Sequence, residues 1–178
     1  FNPQPSPNMH DLETAWNYQG LCLLEGTNLS EGRGTDEPFK ILGAPWIDSE
    51  ILLKGMSPFL HNNDKVDTVS FIPQSQPGRS AHPKYLDEVC HGLRIKNLED
   101  PIVWMVYLFA TLKIIYQDQF QFLESNFIDK LYGSNSLRLA VERGDDITQM
   151  ILDWEINSDV FRKMSREYKL YTSHVSKE

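Results

Sequence analysis

Cysteine is scarce. Two residues of 178, Cys22 and Cys90, exclude a disulfide-stapled miniature and leave room for one bridge at most. Both sit in apolar, strand-like runs, so either two buried thiols or a single disulfide is compatible with the sequence. No CxxC or HxxxH spacing occurs, which removes the usual zinc signatures. No metal ligand and no cofactor is expected. The five histidines, His10, His61, His82, His91 and His174, are scattered. Of these, only His82 and His91 flank a predicted strand from which they can reach a cleft.

Long hydrophobic runs are also missing. Ile102 to Ile115 is the longest candidate, is interrupted by Lys113, and falls short of the roughly 18 apolar residues that span a bilayer. No dense Lys/Arg block exists, and the net charge is −8 with a pI near 5.1. Such a surface repels phosphate backbones, so a nucleic-acid partner is not expected. There is no signal peptide and no initiator Met; the opening Phe1-Asn2-Pro3 reads as a piece of something longer or a processed product. There is no GxSxG nucleophile elbow. Gly32-Arg33-Gly34 is not a phosphate loop, because no Lys-Ser/Thr pair follows it.

What is present is an ordinary globular composition, 40% hydrophobic and 24% charged, in a chain long enough for a real core. Three prolines in Phe1 to His10 predict an extended start. Asp11 caps a short helix to about Tyr18, with Leu12, Ala15 and Trp16 on one face and Gly20 as the stop. Leu21 to Leu24 is a continuous apolar run, the pattern of a buried strand. Ser49 to Gly55 reads as a short helix. Val66 to Pro73 and Val89 to Ile95 read as strands, joined by a polar loop from Gln74 to Pro83.

Asp100-Pro101 is a helix start, and the apolar pattern to about Tyr116 is continuous around the helix, as in a buried one. Ser134 to Arg143 is a helix stopped by Gly144. Asp145 or Asp146 caps another, with Ile147, Met150, Ile151 and Trp154 on one face. A last helix runs from Ser158 to about Glu167 with Val160, Phe161 and Met164 facing in, and Leu170-Tyr171 close the core. The expected fold is therefore α+β, a single domain over 1–178. A mixed or antiparallel sheet forms its N-terminal part and helices pack from its C-terminal part.

The segment LLEGTNLSEGRGTDEPF, Leu23 to Phe39, holds four acids, three glycines and one Arg. In one reading it is a solvated loop: Gly26, Gly32 and Gly34 make turns, and Glu31, Asp36 and Glu37 face water. In the other it is one wall of a binding site. Glu25 follows the predicted strand and is held at a sheet edge. Thr27 and Asn28 supply hydrogen bonds of both senses. Arg33, between two glycines, approaches a carboxylate bidentately. An acid, an amide, hydroxyls and an Arg suit a sugar that bears a carboxylate. Trp16, Tyr18, Phe39 and Trp46 are either flat platforms for sugar faces or core. Pro73-Gln74 and Gly78-Arg79 are placed to join the same cleft. Glu25 and Glu31 form a carboxylate pair of the kind glycoside hydrolysis uses at about 5 Å or about 6.5–9.5 Å.

Several segments carry a resemblance. SPNM (Ser6 to Met9), LCLLEGTNLSEGRGTDEPF (Leu21 to Phe39), GAPWID (Gly43 to Asp48), VSFIPQ (Val69 to Gln74), CHGLRI (Cys90 to Ile95), LYGSNSLRLAVERG with Trp154 beyond it, and YKLY (Tyr168 to Tyr171) resemble the family of NamZ-type exo-β-N-acetylmuramidases. The resemblance implies a glycosidase that releases non-reducing terminal N-acetylmuramic acid from peptidoglycan fragments. It implies an N-terminal Rossmann-like α/β domain, which carries an acidic Glu-His-Gly motif, ahead of a C-terminal α+β domain, with the active site between them. This chain corresponds to the C-terminal half. The implied partners are a peptidoglycan-derived sugar and the N-terminal domain of the same protein; a periplasmic or secreted location follows from the family. The resemblance implies that Glu25, Thr27, Asn28 and Arg33 line the cleft, with Arg33 placed for the lactyl carboxylate. Gly34 and Trp46 join them as candidate substrate-binding residues, and Glu25 is the candidate catalytic residue, a role the family pattern does not itself assign. One difference is that His91 stands where the family pattern carries Tyr. The alternatives are a non-catalytic carbohydrate-binding or domain-packing module, which predicts an exposed apolar patch, and a metal-dependent hydrolase, which no ligand cluster supports.

Overall fold

A computed structural model describes residues 5–170. Contacts divide the chain into two compact units, Phe1–Asp145 and Asp146–Glu178. The larger unit is α+β, with one three-stranded antiparallel sheet. Its strands are β1 (Ile41–Ala44), β2 (Lys65–Phe71) and β3 (Cys90–Lys96), in the order β1-β3-β2. Register runs from Ile41 opposite Arg94 to Ala44 opposite His91 on one side of β3. On the other side it runs from Lys65 opposite Lys96 to Phe71 opposite Cys90. β3 is central, and its Cys90, Gly92, Leu93 and Ile95 are buried.

Helix α1 (Leu12–Leu21) starts where expected: Asp11 Oδ1 accepts from the Thr14 amide at 2.8 Å. Its inward face is not the expected one. Thr14, Asn17, Gly20 and Leu21 are buried, whereas Leu12 is 74% and Trp16 49% exposed. The cause is at Gly20. A Cβ there would lie 2.0 Å from the Pro101 carbonyl oxygen, so the bare backbone lets α1 seat against the start of α3 (Pro101–Ile115). Gly20 is a contact point inside the helix, not its stop.

The expected strand at Leu21 to Leu24 is a 3-10 turn, Cys22–Gly26, continuing directly from α1. Leu21, Leu23 and Leu24 are buried either way, and a four-residue apolar run cannot distinguish the two geometries. Cys22 lies in this turn and Cys90 in β3, and both thiols are free. The opening segment is also not simply extended. The Met9 amide donates to the Ser6 carbonyl at 3.0 Å and closes a turn; Phe1 to Gln4 lie outside the described residues.

Helix α2 (Ser49–Met56) is capped by Asp48, and packs on the sheet and on α3. Asp100 caps α3 through the Ile102 and Val103 amides, with Pro101 at the first position. α3 is buried over most of its circumference and contacts α1, α2 and the later α5, which makes it the spine of the core. α4 (Phe127–Tyr132) and α5 (Ser136–Arg143) end at Gly133 and Gly144, both left-handed. Arg138 on α5 holds Asp129 on α4 through two hydrogen bonds, at 2.9 and 2.7 Å.

The second unit contains one long helix, α6 (Thr148–Met164), where two were expected. Asp146 accepts from the Thr148 amide at 2.8 Å, which starts the helix. No glycine or proline interrupts it at Ser158, so it runs on. Val160, Phe161 and Met164, expected to face in, are exposed. Leu170, expected to close the core, is exposed too, and Tyr171 lies outside the described residues.

Candidate functional site

The Leu23 to Phe39 segment folds into a rigid rim. Thr27 is fully buried: its hydroxyl donates to the Leu24 carbonyl at 2.8 Å and accepts from the Leu29 amide at 3.1 Å. Asn28 uses its side chain in both senses. Nδ2 donates to the Gln119 carbonyl at 2.7 Å and Oδ1 accepts from the Gln121 amide at 3.0 Å. The rim is thereby laced to the segment after α3, 91 to 93 residues away in sequence. These two side chains shape the rim.

The charged groups lie beyond that turn. Glu25 is in the 3-10 turn rather than at a sheet edge. Arg33 Nη2 donates to Glu25 Oε1 at 2.9 Å, and its Nε lies 3.3 Å from Glu31 Oε1. One guanidinium therefore bridges the two acids that the sequence suggested as a pair. Glu31 is buried, and Lys84 Nζ reaches its Oε2 at 3.0 Å. The same ammonium donates to the Leu24 and Leu29 carbonyls at 2.9 and 2.7 Å. Two carboxylates and two cations leave this cluster formally neutral. The side chains of Arg33 and Glu25 are 28% and 24% exposed, so the pair is reachable from solvent while Glu31 beneath it is not.

Aromatic rings back the pair. The Arg33 guanidinium lies over the Phe39 ring at 5.0 Å, and Tyr18 meets Phe39 edge-on at 4.8 Å. Phe39 is buried, so it is no platform for a sugar. It is held at φ 59°, a strained setting for a bulky residue, by its amide donating to the Glu31 carbonyl at 2.8 Å. Burial, with the charges of Glu25 and Cys22, pushes the Tyr18 phenol up despite the opposing effect of Arg33. Tyr18 therefore stays a neutral donor close to the acid.

Gly34 has φ +81°, and a Cβ there would meet the Gln74 carbonyl oxygen and Pro83 Cγ at 2.7 Å. Its carbonyl accepts from the Gln74 amide at 2.8 Å. The 73–83 loop thus does reach the rim, through Gln74 and Pro83. Arg79 does not. Its Nε donates to the Pro7 carbonyl at 3.0 Å. Trp46 Nε1 donates to the Tyr85 hydroxyl at 3.2 Å, and the Trp46 ring meets Tyr116 edge-on at 5.4 Å. The Tyr85 hydroxyl donates in turn to the Asn28 carbonyl at 2.6 Å, which brings Trp46 to the same rim. Trp16 is elsewhere, its Nε1 donating to the Leu98 carbonyl at 2.6 Å. His82 is exposed, and His91 lies within β3, its Nδ1 2.8 Å from the Ser70 hydroxyl.

The solvated-loop reading set Glu31, Asp36 and Glu37 in water, and the structure agrees fully only for Asp36. Glu37 holds Arg94 with two hydrogen bonds, at 3.0 and 2.8 Å, and Asp36 alone of the three later acids is exposed. Lys84 and Tyr85 are rim neighbours that the sequence did not signal. They lie 53 and 57 residues from their partners, and nothing in the local pattern around Pro83 signals the contact. Among the described residues no group of three or more His, Cys, Asp or Glu is placed to hold a metal ion, and no helix is long and apolar enough to cross a membrane.

Fold and rim together define a small α+β domain that presents an accessible acid–arginine pair on a braced edge. The chain belongs to the family described as exo-β-N-acetylmuramidase NamZ, C-terminal, which matches residues 16–171. It is 30% identical over 171 residues to the peptidoglycan β-N-acetylmuramidase NamZ of Bacillus subtilis, covering 94% of this chain and 40% of that protein. Two crystal structures of DUF1343-family proteins from Bacteroides fragilis are similar. One has a TM-score of 0.69 at 28% identity, over 94% of this chain and 43% of that one. The other has a TM-score of 0.76 at 18% identity, over 89% and 42%, and shows the fold alone. The chain spans about two fifths of the length of the curated relative it matches.

Proposed function

We propose that this chain is the C-terminal α+β domain of a two-domain exo-β-N-acetylmuramidase, and that its Glu25–Gly34 rim lines the cleft that binds terminal N-acetylmuramic acid. A Rossmann-like domain ahead of it supplies the other wall and the principal catalytic acid. The observation that carries the reading is the solvent-accessible Glu25–Arg33 pair set over the buried Glu31, which Lys84 also holds. Local neutrality lets a carboxylated sugar approach without meeting a net negative field. Arg33 faces the lactyl carboxylate, Glu25 accepts from a sugar hydroxyl, and the Thr27–Asn28 turn and Gly34 keep both in place. Trp46 closes the rim from the Tyr85 side. Glu25 already accepts from a guanidinium, which suits a binding acceptor better than a group that must deliver a proton.

The test uses an aryl N-acetyl-β-muramide and its N-acetylglucosaminide counterpart, with the full-length enzyme. R33A is expected to raise KM for the muramide far more than for the glucosaminide; equal losses on both would remove the lactyl contact. E25Q is expected to leave turnover within about tenfold. A loss of several orders of magnitude would move Glu25 into the chemistry and overturn its assignment as a binding group. Chromophore release by this folded chain alone would overturn the assignment of the principal acid to the other domain.

A second reading, a domain-packing module without substrate contact, is favoured by one observation. Leu12 and Trp16 are exposed along an open groove of about 500 Å³ on α1. Under that reading R33A and E25Q change stability and leave both KM values alone.

A further inference from the structure

Helix α6 has an apolar stripe that the proposed function does not use. Leu152, Ile156, Val160 and Met164 are spaced four apart over about 18 Å of helix and are 45% to 65% exposed. At that spacing they share one side, turned away from Ile147, Ile151 and Trp154. Charge is segregated along the same helix. Asp153 and Glu155 occupy its earlier part and Arg162 and Lys163 its last turn, with Asp159 paired to Arg162. Asp153 and Lys163 fall on the apolar side itself.

We infer that this side of α6 is a self-association surface that pairs with a second copy of the chain, antiparallel, about a two-fold axis that crosses the stripe midway between Ile156 and Val160. That axis places residues whose numbers sum to 316 opposite one another. Leu152 then meets Met164 of the second copy, Ile156 meets Val160, and Asp153 meets Lys163. Each contact occurs twice, as an isologous interface requires. A parallel pair is disfavoured, because it sets Asp153 against Asp153 and Lys163 against Lys163. The pairing leaves two intrahelical contacts in place, Gln149 to Asp153 at 2.9 Å and Arg162 to Asp159. One helix per copy is a small interface, so the dimer forms in the micromolar range rather than below it.

Sedimentation equilibrium of the full-length protein, from low to high micromolar concentration, tests this. The expected result is a concentration-dependent dimer that I156D abolishes, with the melting temperature unchanged when both proteins are compared at a concentration where each is monomeric, since the residue is exposed in the monomer. D153K and K163D are each expected to weaken the dimer about tenfold. The double variant D153K/K163D, which restores opposite charges across the axis, is expected to recover wild-type association. A monomer at every concentration overturns the inference. So does a dimer indifferent to I156D, or a double variant no better than the singles. A monomer that I156D destabilises also overturns it, because another segment of its own protein then covers the stripe.

Discussion

The Tyr85 hydroxyl donates to the Asn28 carbonyl at 2.6 Å and accepts from Trp46 Nε1 at 3.2 Å. One phenol thus ties the rim, the 73–89 loop and the segment after β1. Burial and the charges of Cys90 and Glu88 push this phenol up against the opposing effect of the Trp46 hydrogen bond, so it stays a donor across the physiological range. Y85F keeps the ring and removes both bonds. It is expected to cost about 1–2 kcal/mol, a fall in Tm of roughly 2–8 °C by circular dichroism. No change in Tm would mean the three segments are held together without it.

Glu31 has two cations, Arg33 and Lys84, and little solvent. Removing either cation leaves a buried carboxylate with one partner, and about 1–3 kcal/mol of destabilisation is expected for R33L or K84M. The double variant should lose more than the sum, because the last partner is then gone. Adding E31Q to R33L is expected to recover part of the loss in urea unfolding. If E31Q destabilises R33L further, burial of the charge is not what the cations offset.

Gly20 and Gly78 offer a matched pair. A Cβ at Gly20 would enter the Pro101 carbonyl, whereas at Gly78 nothing lies within 4 Å, though φ is +81°. G78A is expected to cost about 1 kcal/mol through backbone strain alone. G20A must push α1 away from α3 and is expected to lose several times more, or to fail to fold. Comparable melting temperatures for the two variants would count against a tight α1–α3 seat.

Lys40 Nζ lies 2.6 Å from Asp11 Oδ2. Burial works to raise the Asp11 carboxyl, but hydrogen bonds from Lys40 and Thr14 outweigh it and bring the group from 3.8 to about 2. A carboxyl lowered on folding contributes stability above its unfolded pKa and loses it as pH falls. The contribution is therefore full above about pH 4 and fades toward pH 2. At this half-exposed carboxylate, solvent screening limits it to about 1 kcal/mol or less. D11N keeps a capping side chain, so its Tm should fall slightly below wild type at pH 6 and match it near pH 2. A gap that persists at pH 2 would assign the effect to the cap instead.

Both thiols are poor nucleophiles. Burial and the Glu88 charge push Cys90 up to about 12, and burial with Glu25 also raises Cys22. Ellman's reagent at pH 8 is expected to react slowly with the native protein and promptly with both cysteines in denaturant. Rapid native labelling of Cys90 would show that β3 opens far more readily than a central strand should.

The helix starts at Asp11 and Asp100 and the stop at Gly144 were legible, because capping is a local matter of one side chain and the next few amides. So were β2 and β3, whose β-branched residues announce themselves. The Leu21 to Leu24 run was misassigned for an equally local reason: four consecutive apolar residues are buried in a strand and in a 3-10 turn alike. The inward face of α1 was missed because its packing is set by a glycine that admits the backbone of α3, and no hydrophobic pattern records that.

The sequence by itself determined the α+β class, the caps at Asp11 and Asp100, the family and the stretch that carries the charged rim. Only the tertiary structure decided that Arg33 spans Glu25 and Glu31, that Lys84 supplies the second cation, and that Thr27 and Asn28 brace the rim. It also decided that Phe39 is core. Periodicity and capping act over a few residues, so they can be read along the chain. The Lys84–Glu31 ion pair and the Tyr85–Asn28 hydrogen bond join residues more than 50 positions apart, and are made by packing that brings together loops carrying no mark of one another.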